Sequence, residues 1–169
     1  MRRLVTIIAA TLMASSGLFA QDFIAELASM VKGARITCDY TYSTTTGTII
    51  TGKGSAVLQG ERYSLSGNGL EIICDSFTRW TKDPVFKEVY IERAGDFGKI
   101  LTDIETFLRG IPDLKYENGI LSGTFLFPGE ENGFFCTLSN VKKLPATDGK
   151  EFFFDTSSLD SSWVVTDLR

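Results

Sequence analysis

RITCDYTYSTTTGTIITGKGSAVLQGERYSLSGNGLEIICDSFTRWTKDPVFKEVYIER, residues 35–93, decides the fold. Ile36, Cys38, Tyr40 and Tyr42 alternate with Arg35, Thr37, Asp39 and Thr41. That period of two marks a strand with one covered face. Thr44 to Gly47 turns the chain, and Thr48 to Leu58 is β-branched. Gly52 and Gly54 inside that run predict bends or bulges in a curved sheet. Gln59-Gly60-Glu61 turns again, Arg62 to Ser66 runs back, and Gly67-Asn68-Gly69 is a tight-turn signal. Leu70 to Cys74, Thr78 to Thr81 and, past Asp83-Pro84, Glu88 to Arg93 complete six short strands with no helix between them. Strands joined so closely pair antiparallel.

A helical period flanks this block on both sides. Upstream, Phe23, Ile24, Leu27, Met30 and Val31 fall on one face of a helix over 22–32, with Asp22 at its start and Gly33 past its end. Downstream, Phe97, Ile100, Leu101, Ile104, Phe107 and Leu108 form one apolar face over 96–109. Lys99, Thr102, Asp103 and Glu105 occupy the other face, Asp96 is the expected N-cap, and Gly110 with Pro112 ends the helix.

Strands then resume. Asn118-Gly119 signals a hairpin between Leu114–Glu117 and Ile120–Phe127. Glu131-Asn132-Gly133 leads into Phe134–Lys142, and Asp148-Gly149 into Glu151–Asp155. The expected fold is therefore mainly β in an α+β arrangement: one curved antiparallel sheet of about ten to eleven strands, an unclosed barrel with two helices over its concave side. Such an interior either packs solid or encloses an apolar cavity, the usual home of an apolar ligand. No repeat or low-complexity linker divides the chain, so a single domain is expected.

Composition narrows function. The chain has 169 residues, 17 Lys and Arg against 21 Asp and Glu, and no histidine. Arg2 and Arg3 precede an apolar run from Leu4 to Leu12, and small residues lead to Ala20. Residues 1–20 read as a secretory signal peptide cut before Gln21, which leaves one domain over 21–169. Losing Arg2 and Arg3 leaves 15 basic residues against 21 acidic, net −6. An acidic chain without a basic patch argues against nucleic acid and against electrostatic adhesion to anionic membranes. The lack of histidine removes Ser-His-Asp and Cys-His nucleophile systems, and the imidazole ligands of most catalytic zinc sites.

The chemistry-bearing motifs are weak. Gly47-Thr48-Ile49-Ile50-Thr51-Gly52-Lys53-Gly54 nearly matches a phosphate-binding loop, but Gly54 stands where a hydroxyl is needed and the stretch reads as strand. No two carboxylates stand out as a glycosidase pair. Phe152-Phe153-Phe154 reads as core plus one exposed ring. Cys38, Cys74 and Cys136 lack zinc-type spacing. They fit buried apolar residues, one bridge between two of the three, or a reactive thiol. No catalytic residue, metal site or cofactor is expected, and no enzyme activity.

One stretch carries a family likeness. Gly69-Leu70-Glu71-Ile72-Ile73-Cys74-Asp75-Ser76-Phe77-Thr78-Arg79-Trp80, followed by Asp83-Pro84 and Glu88-Val89-Tyr90-Ile91, resembles the periplasmic LolA-type carriers of outer-membrane lipoproteins. Those proteins show Asp-Gly-x-x-x-Trp, then Asn/Asp-Pro, then a strand. Asp75, Trp80, Asp83 and Pro84 fit, while Ser76 stands where Gly is usual. The leader, the first helix, Arg62-Tyr63-Ser64-Leu65, the middle helix and the ending from Phe152 to Arg169 follow in the family's order.

The resemblance implies a periplasmic, monomeric lipoprotein chaperone. Its apolar cavity would shelter acyl chains taken from an inner-membrane ABC transporter and passed to an outer-membrane acceptor. Tyr63, Leu65, Leu70, Ile72, Trp80, Val89 and Ile91 would line the cavity. Phe97, Ile100, Leu101, Ile104, Phe107 and Leu108 would face it from the lid. The family's lid-latching arginine falls near Gln59, with Arg62 close by. Gln21, not Cys, follows the leader, which favours carrier over the lipidated acceptor. The alternative expectation is a binder of another lipid or apolar ligand, or an envelope-stress sensor, on the same half-barrel.

Overall fold

A computed structural model describes residues 22–126 and 133–169. Residues 1–20, read above as a leader, and Phe127, Glu131 and Asn132, read as a strand end and a turn, lie outside that range. The chain opens with helix α1 (22–33) and continues through β1 (Arg35–Thr44), β2 (Thr51–Gln59), β3 (Arg62–Gly67), β4 (Leu70–Cys74), β5 (Thr78–Asp83) and β6 (Glu88–Arg93). Two short helices follow, α2 (Phe97–Thr102) and α3 (Ile104–Arg109), then β7 (Lys115–Glu117), β8 (Ile120–Phe125), β9 (Phe134–Leu144) and β10 (Val164–Asp167).

All ten strands form one sheet in the order β10-β6-β5-β4-β3-β2-β1-β9-β8-β7. It does not close into a barrel. Every neighbouring pair is antiparallel except β10, which runs parallel to β6. Turn chemistry explains much of this. Asn68 and Gly69 hold φ of 52° and 82°, and Asn118 and Gly119 hold 52° and 78°. Positive φ at both central residues is the type I′ geometry whose twist matches that of the strands it joins. Asp75 Oδ1 accepts from the Phe77 and Thr78 amides, and Asp83 Oδ1 from those of Val85 and Phe86, so side chains brace two more turns.

Register sorts the side chains into two layers. Ile36, Leu58, Tyr63 and Cys74 lie opposite one another on successive strands and share the concave face. There Val31 of α1 and Leu101 of α2 join them in one cluster. Phe23, Ile24 and Leu27 of α1 meet Leu108, Ile111, Leu121 and Phe125 in a second, and Phe23 stacks on Tyr116 with ring centroids 3.7 Å apart. The three helices thus lie on one face of the sheet. On the other face Trp80, Val89 and Ile91 are buried with Ile73 beneath Phe154, Leu159 and Trp163, from the segment between β9 and β10.

Four local expectations are corrected. The helix expected over 96–109 breaks at Asp103, whose φ of −127° and ψ of 46° leave the helical region. Asp96 does not cap it; its carboxylate accepts from Lys99 Nζ at 2.8 Å instead. Glu151–Asp155 is not a strand. Lys150–Phe152 forms a 3-10 turn, because the segment crosses the sheet face rather than extending its edge. Gly52 and Gly54 make no bulge, since β1 and β2 pair without interruption from Ile36↔Leu58 to Ser43↔Thr51. The irregularity falls between β1 and β9, at Thr37/Asp39.

Candidate functional site

The glycines of β2 and β3 make room for two tyrosines. A Cβ on Gly54 would stand 2.6 Å from the Tyr40 hydroxyl oxygen and 2.0 Å from the Ser66 carbonyl oxygen. One on Gly52 would stand 2.4 Å from the Tyr42 ring. Tyr40 and Tyr42 therefore lie along the concave face above bare backbone, and Phe134 meets Tyr42 edge-on with centroids 6.1 Å apart. Leu65, Ile72, Cys136 and Leu138 continue this floor on neighbouring strands, and all of these side chains are half-buried. Opposite them stand Phe97, Ile104 and Phe107, half-buried as well. An apolar face that water still reaches thus adjoins a core that is sealed at Ile36, Tyr63 and Cys74.

The seven side chains expected to line one cavity divide by strand alternation. Tyr63, Leu65 and Ile72 are on the concave face under the helices. Leu70 shares their side and is exposed at the end of β4. Trp80, Val89 and Ile91 lie on the opposite face and are buried in the C-terminal cluster, so they do not join that lining. Ile73, Trp80 and Ile91 are direct cross-strand partners, one residue out of phase with Ile72.

The six side chains expected of the lid divide as anchors and cover. Leu101 and Leu108 are fully buried. Phe97 packs edge-on against Tyr63 with centroids 4.8 Å apart, and Phe107 lies 6.0 Å from Phe125. Ile104 touches both core clusters from the start of α3, and Ile100 is half-buried.

The two residues nearest the family's latch position hold the C-terminal segment, not the helices. Gln59 Nε2 donates to the Thr147 carbonyl at 3.0 Å and its Oε1 accepts from the Thr147 amide at 3.0 Å. The Arg62 guanidinium lies 5.4 Å over the Phe152 ring. Phe152 is fully buried and Phe153 exposed.

The three thiols are free. Burial pushes Cys38 and Cys136 up to about 11, with Asp39 adding to the effect at Cys38, and burial likewise raises Cys74. Thiols held protonated are poor nucleophiles. Tyr63 is pushed up to about 12, first by burial and then by Cys74. Among the described residues no three or more metal-ligating side chains group together, and no helix is long and apolar enough to cross a membrane. An open depression of about 420 Å³ at the end of the sheet where β2 turns into β3 is lined by Val31, Lys32, Ala34, Gln59, Glu61 and Arg62 among others, a mixed polar and apolar surface.

No family model matches the chain, and no curated protein matches it. Tyr40, Tyr42, Cys136 and Leu138 were not among the residues expected from sequence to line the cavity. Their signal was present in the strand alternation of Tyr40 and Tyr42 against the glycines of the next strand.

Proposed function

We propose that the chain is a periplasmic lipoprotein carrier of the LolA type, which shelters acyl chains between its concave sheet face and the α2–α3 pair. The observation that carries this reading is the half-buried apolar floor from Tyr40 to Leu138, faced by Phe97, Ile104 and Phe107. Monomeric soluble proteins rarely leave such a surface partly wet without a ligand or partner for it.

Magnitudes support displacement of the helices by cargo. Six-residue helices are too short to persist alone, so α2 and α3 depend on their contacts. Exposing the anchors Leu101 and Leu108 costs about 1.5–3 kcal/mol each. An acyl chain of roughly 15 methylenes recovers about 12 kcal/mol when buried, at ~0.8 kcal/mol per CH₂. One chain is enough to lift both anchors. Hand-off between an inner-membrane transporter and an outer-membrane acceptor then needs positions of similar affinity and no covalent chemistry, in keeping with a reading that assigns no catalytic residue.

The test is binding of a fluorescent fatty acid by the mature protein and by Leu65→Asp, which puts a charge on the floor. Saturable binding that the variant loses supports the reading. Absence of binding by the unaltered protein overturns it.

A further inference from the structure

The concave floor changes character along its strands. Residues opposite one another share a face, so the floor is laid in rows across the sheet. The row Ile36–Leu58–Tyr63–Cys74 is sealed with Val31 and Leu101 of the helices. The next row, Cys38–Ala56–Leu65–Ile72, leaves Leu65 and Ile72 half-buried. Beyond it, Gly54 and Gly67 lie opposite Tyr40, and Gly52 lies opposite Tyr42. Both rings lean across that bare backbone toward β3. A Cβ on Gly67 would stand 2.8 Å from the Tyr40 hydroxyl oxygen, and Asn68, in the turn into β4, meets the Tyr42 hydroxyl. The floor is thus sealed and apolar at one end, and carries two phenol hydroxyls at the other.

Hydrogen-bond accounting leaves a donor at that second end. The Lys53 amide can only donate, and it gives its proton to Asn68 Oδ1 at 3.3 Å. That orients the Asn68 amide, so Nδ2 donates to the Tyr42 hydroxyl oxygen at 3.1 Å. Because Nδ2 cannot accept, the Tyr42 proton is left for another acceptor. The Tyr40 hydroxyl sits over the same glycines, and burial followed by Tyr42 raises its pKa, so it also stays a protonated donor. No nearby cation complements these donors. Lys53 alternates to the other face of β2, and Arg79, in the sealed row opposite Cys74, is held by Glu92 at 2.7 Å.

We infer that Tyr40, Tyr42 and Asn68 form the subsite for the uncharged carbonyl end of an acyl ligand, an ester- or amide-linked acyl group, whose chain runs from there toward Leu65 and Ile72. This inference rests on the carrier reading and gives its cargo an orientation. A neutral carbonyl accepts from a tyrosine hydroxyl and needs no counter-ion, whereas a carboxylate would shed its water with no cation to replace it. Dimensions agree. From Tyr42 back to Ile36, β1 spans about 20 Å at ~3.3 Å per residue. One acyl chain fills roughly 15 Å, half of a bilayer's ~30 Å core. A chain anchored at the tyrosines therefore ends near the sealed row.

The experiment is displacement of the uncharged dye N-phenyl-1-naphthylamine from the protein by 1-monopalmitoylglycerol and by palmitate, with infrared spectra of the bound ester. The variant is Tyr40→Phe/Tyr42→Phe, which keeps both rings against the glycines and removes only the hydroxyls. Wild type should bind the monoglyceride at least as tightly as palmitate, with the ester carbonyl band at the lower frequency of a hydrogen-bonded carbonyl. The variant should bind the dye like wild type, bind the monoglyceride about tenfold more weakly, and move the band to higher frequency. Equal monoglyceride affinity or an unshifted band in the variant, with dye binding intact, would overturn this subsite and leave the carrier reading standing. A wild-type preference for palmitate would also overturn it. Failure of wild type to bind the dye and both ligands would overturn the carrier reading and the subsite with it.

Discussion

Replacing Ile104 tests whether the space beneath α3 is a ligand site or ordinary core. Ile104 is half-buried and touches both clusters of the concave face. Full burial would put Ile→Ala at about 2–5 kcal/mol, so a half-buried position belongs near 2 kcal/mol. Ile104→Asp loses the same apolar contact. Its carboxylate reaches water and sits in the first turn of α3, where the helix dipole returns about 0.3–1 kcal/mol at most. The two variants should therefore be similarly stable, each melting about 4–8 °C below wild type for a domain of this size. They should differ in ligand binding. A carboxylate against an acyl chain must shed water or exclude the chain, so Asp should bind a fluorescent fatty acid at least about tenfold more weakly than Ala. Thermal melts and titrations of the pair decide it. Equal affinity in the two folded variants would refute the ligand site, and outright unfolding of Ile104→Asp alone would show a dry, closed core there.

Other expectations concern the scaffold. Ser76 holds φ of 85° at a turn where glycine is at ease, so Ser76→Gly should raise stability by about 1 kcal/mol in urea denaturation, and a loss would show that its side-chain hydroxyl matters more than its backbone. Trp80→Ala should cost about 3–5 kcal/mol and expose the segment between β9 and β10 to protease, while fatty-acid affinity of the folded fraction stays unchanged. The thiols of Cys38 and Cys136 rise from the ordinary 9.0 to about 11 in the fold. A raised thiol favours the native state equally below pH 9, and that stability is lost as the unfolded chain ionises above it, so melting temperature should fall between pH 9 and 11. A Cys38→Ala/Cys136→Ala variant should show a shallower fall, and an identical slope would place the effect elsewhere.

The strand block was legible because its turns are chemically explicit. Asn68-Gly69 and Asn118-Gly119 can take positive φ at both positions, and the alternation of Ile36 to Tyr42 leaves one face to bury. The division of the lining was harder to read. Ile72 and Ile73 are adjacent and both apolar, so β4 shows no clean period, and Tyr90 lies between Val89 and Ile91. Which face each residue takes depends on the cover over the second face, supplied by Phe154, Leu159 and Trp163 some seventy residues away. The break at Asp103 was hidden for a related reason. The apolar spacing from Phe97 to Leu108 is continuous, but Leu101 and Leu108 sink into different clusters, and the backbone turns between them. Gln59 shows the limit of position by analogy: it lies near the position of the arginine in the carriers the chain resembles, and it binds Thr147 on the C-terminal segment.

The direct test of the carrier account is mass spectrometry of lipids and lipoproteins that co-purify with the chain, expressed with its proposed leader, residues 1–20, from the source cells. The account predicts triacylated lipoprotein in near-stoichiometric amount, and less of it on Ile104→Asp. Recovery of free fatty acids or phospholipids alone would contradict the lipoprotein cargo, and an empty protein with a dry interior would contradict the carrier altogether.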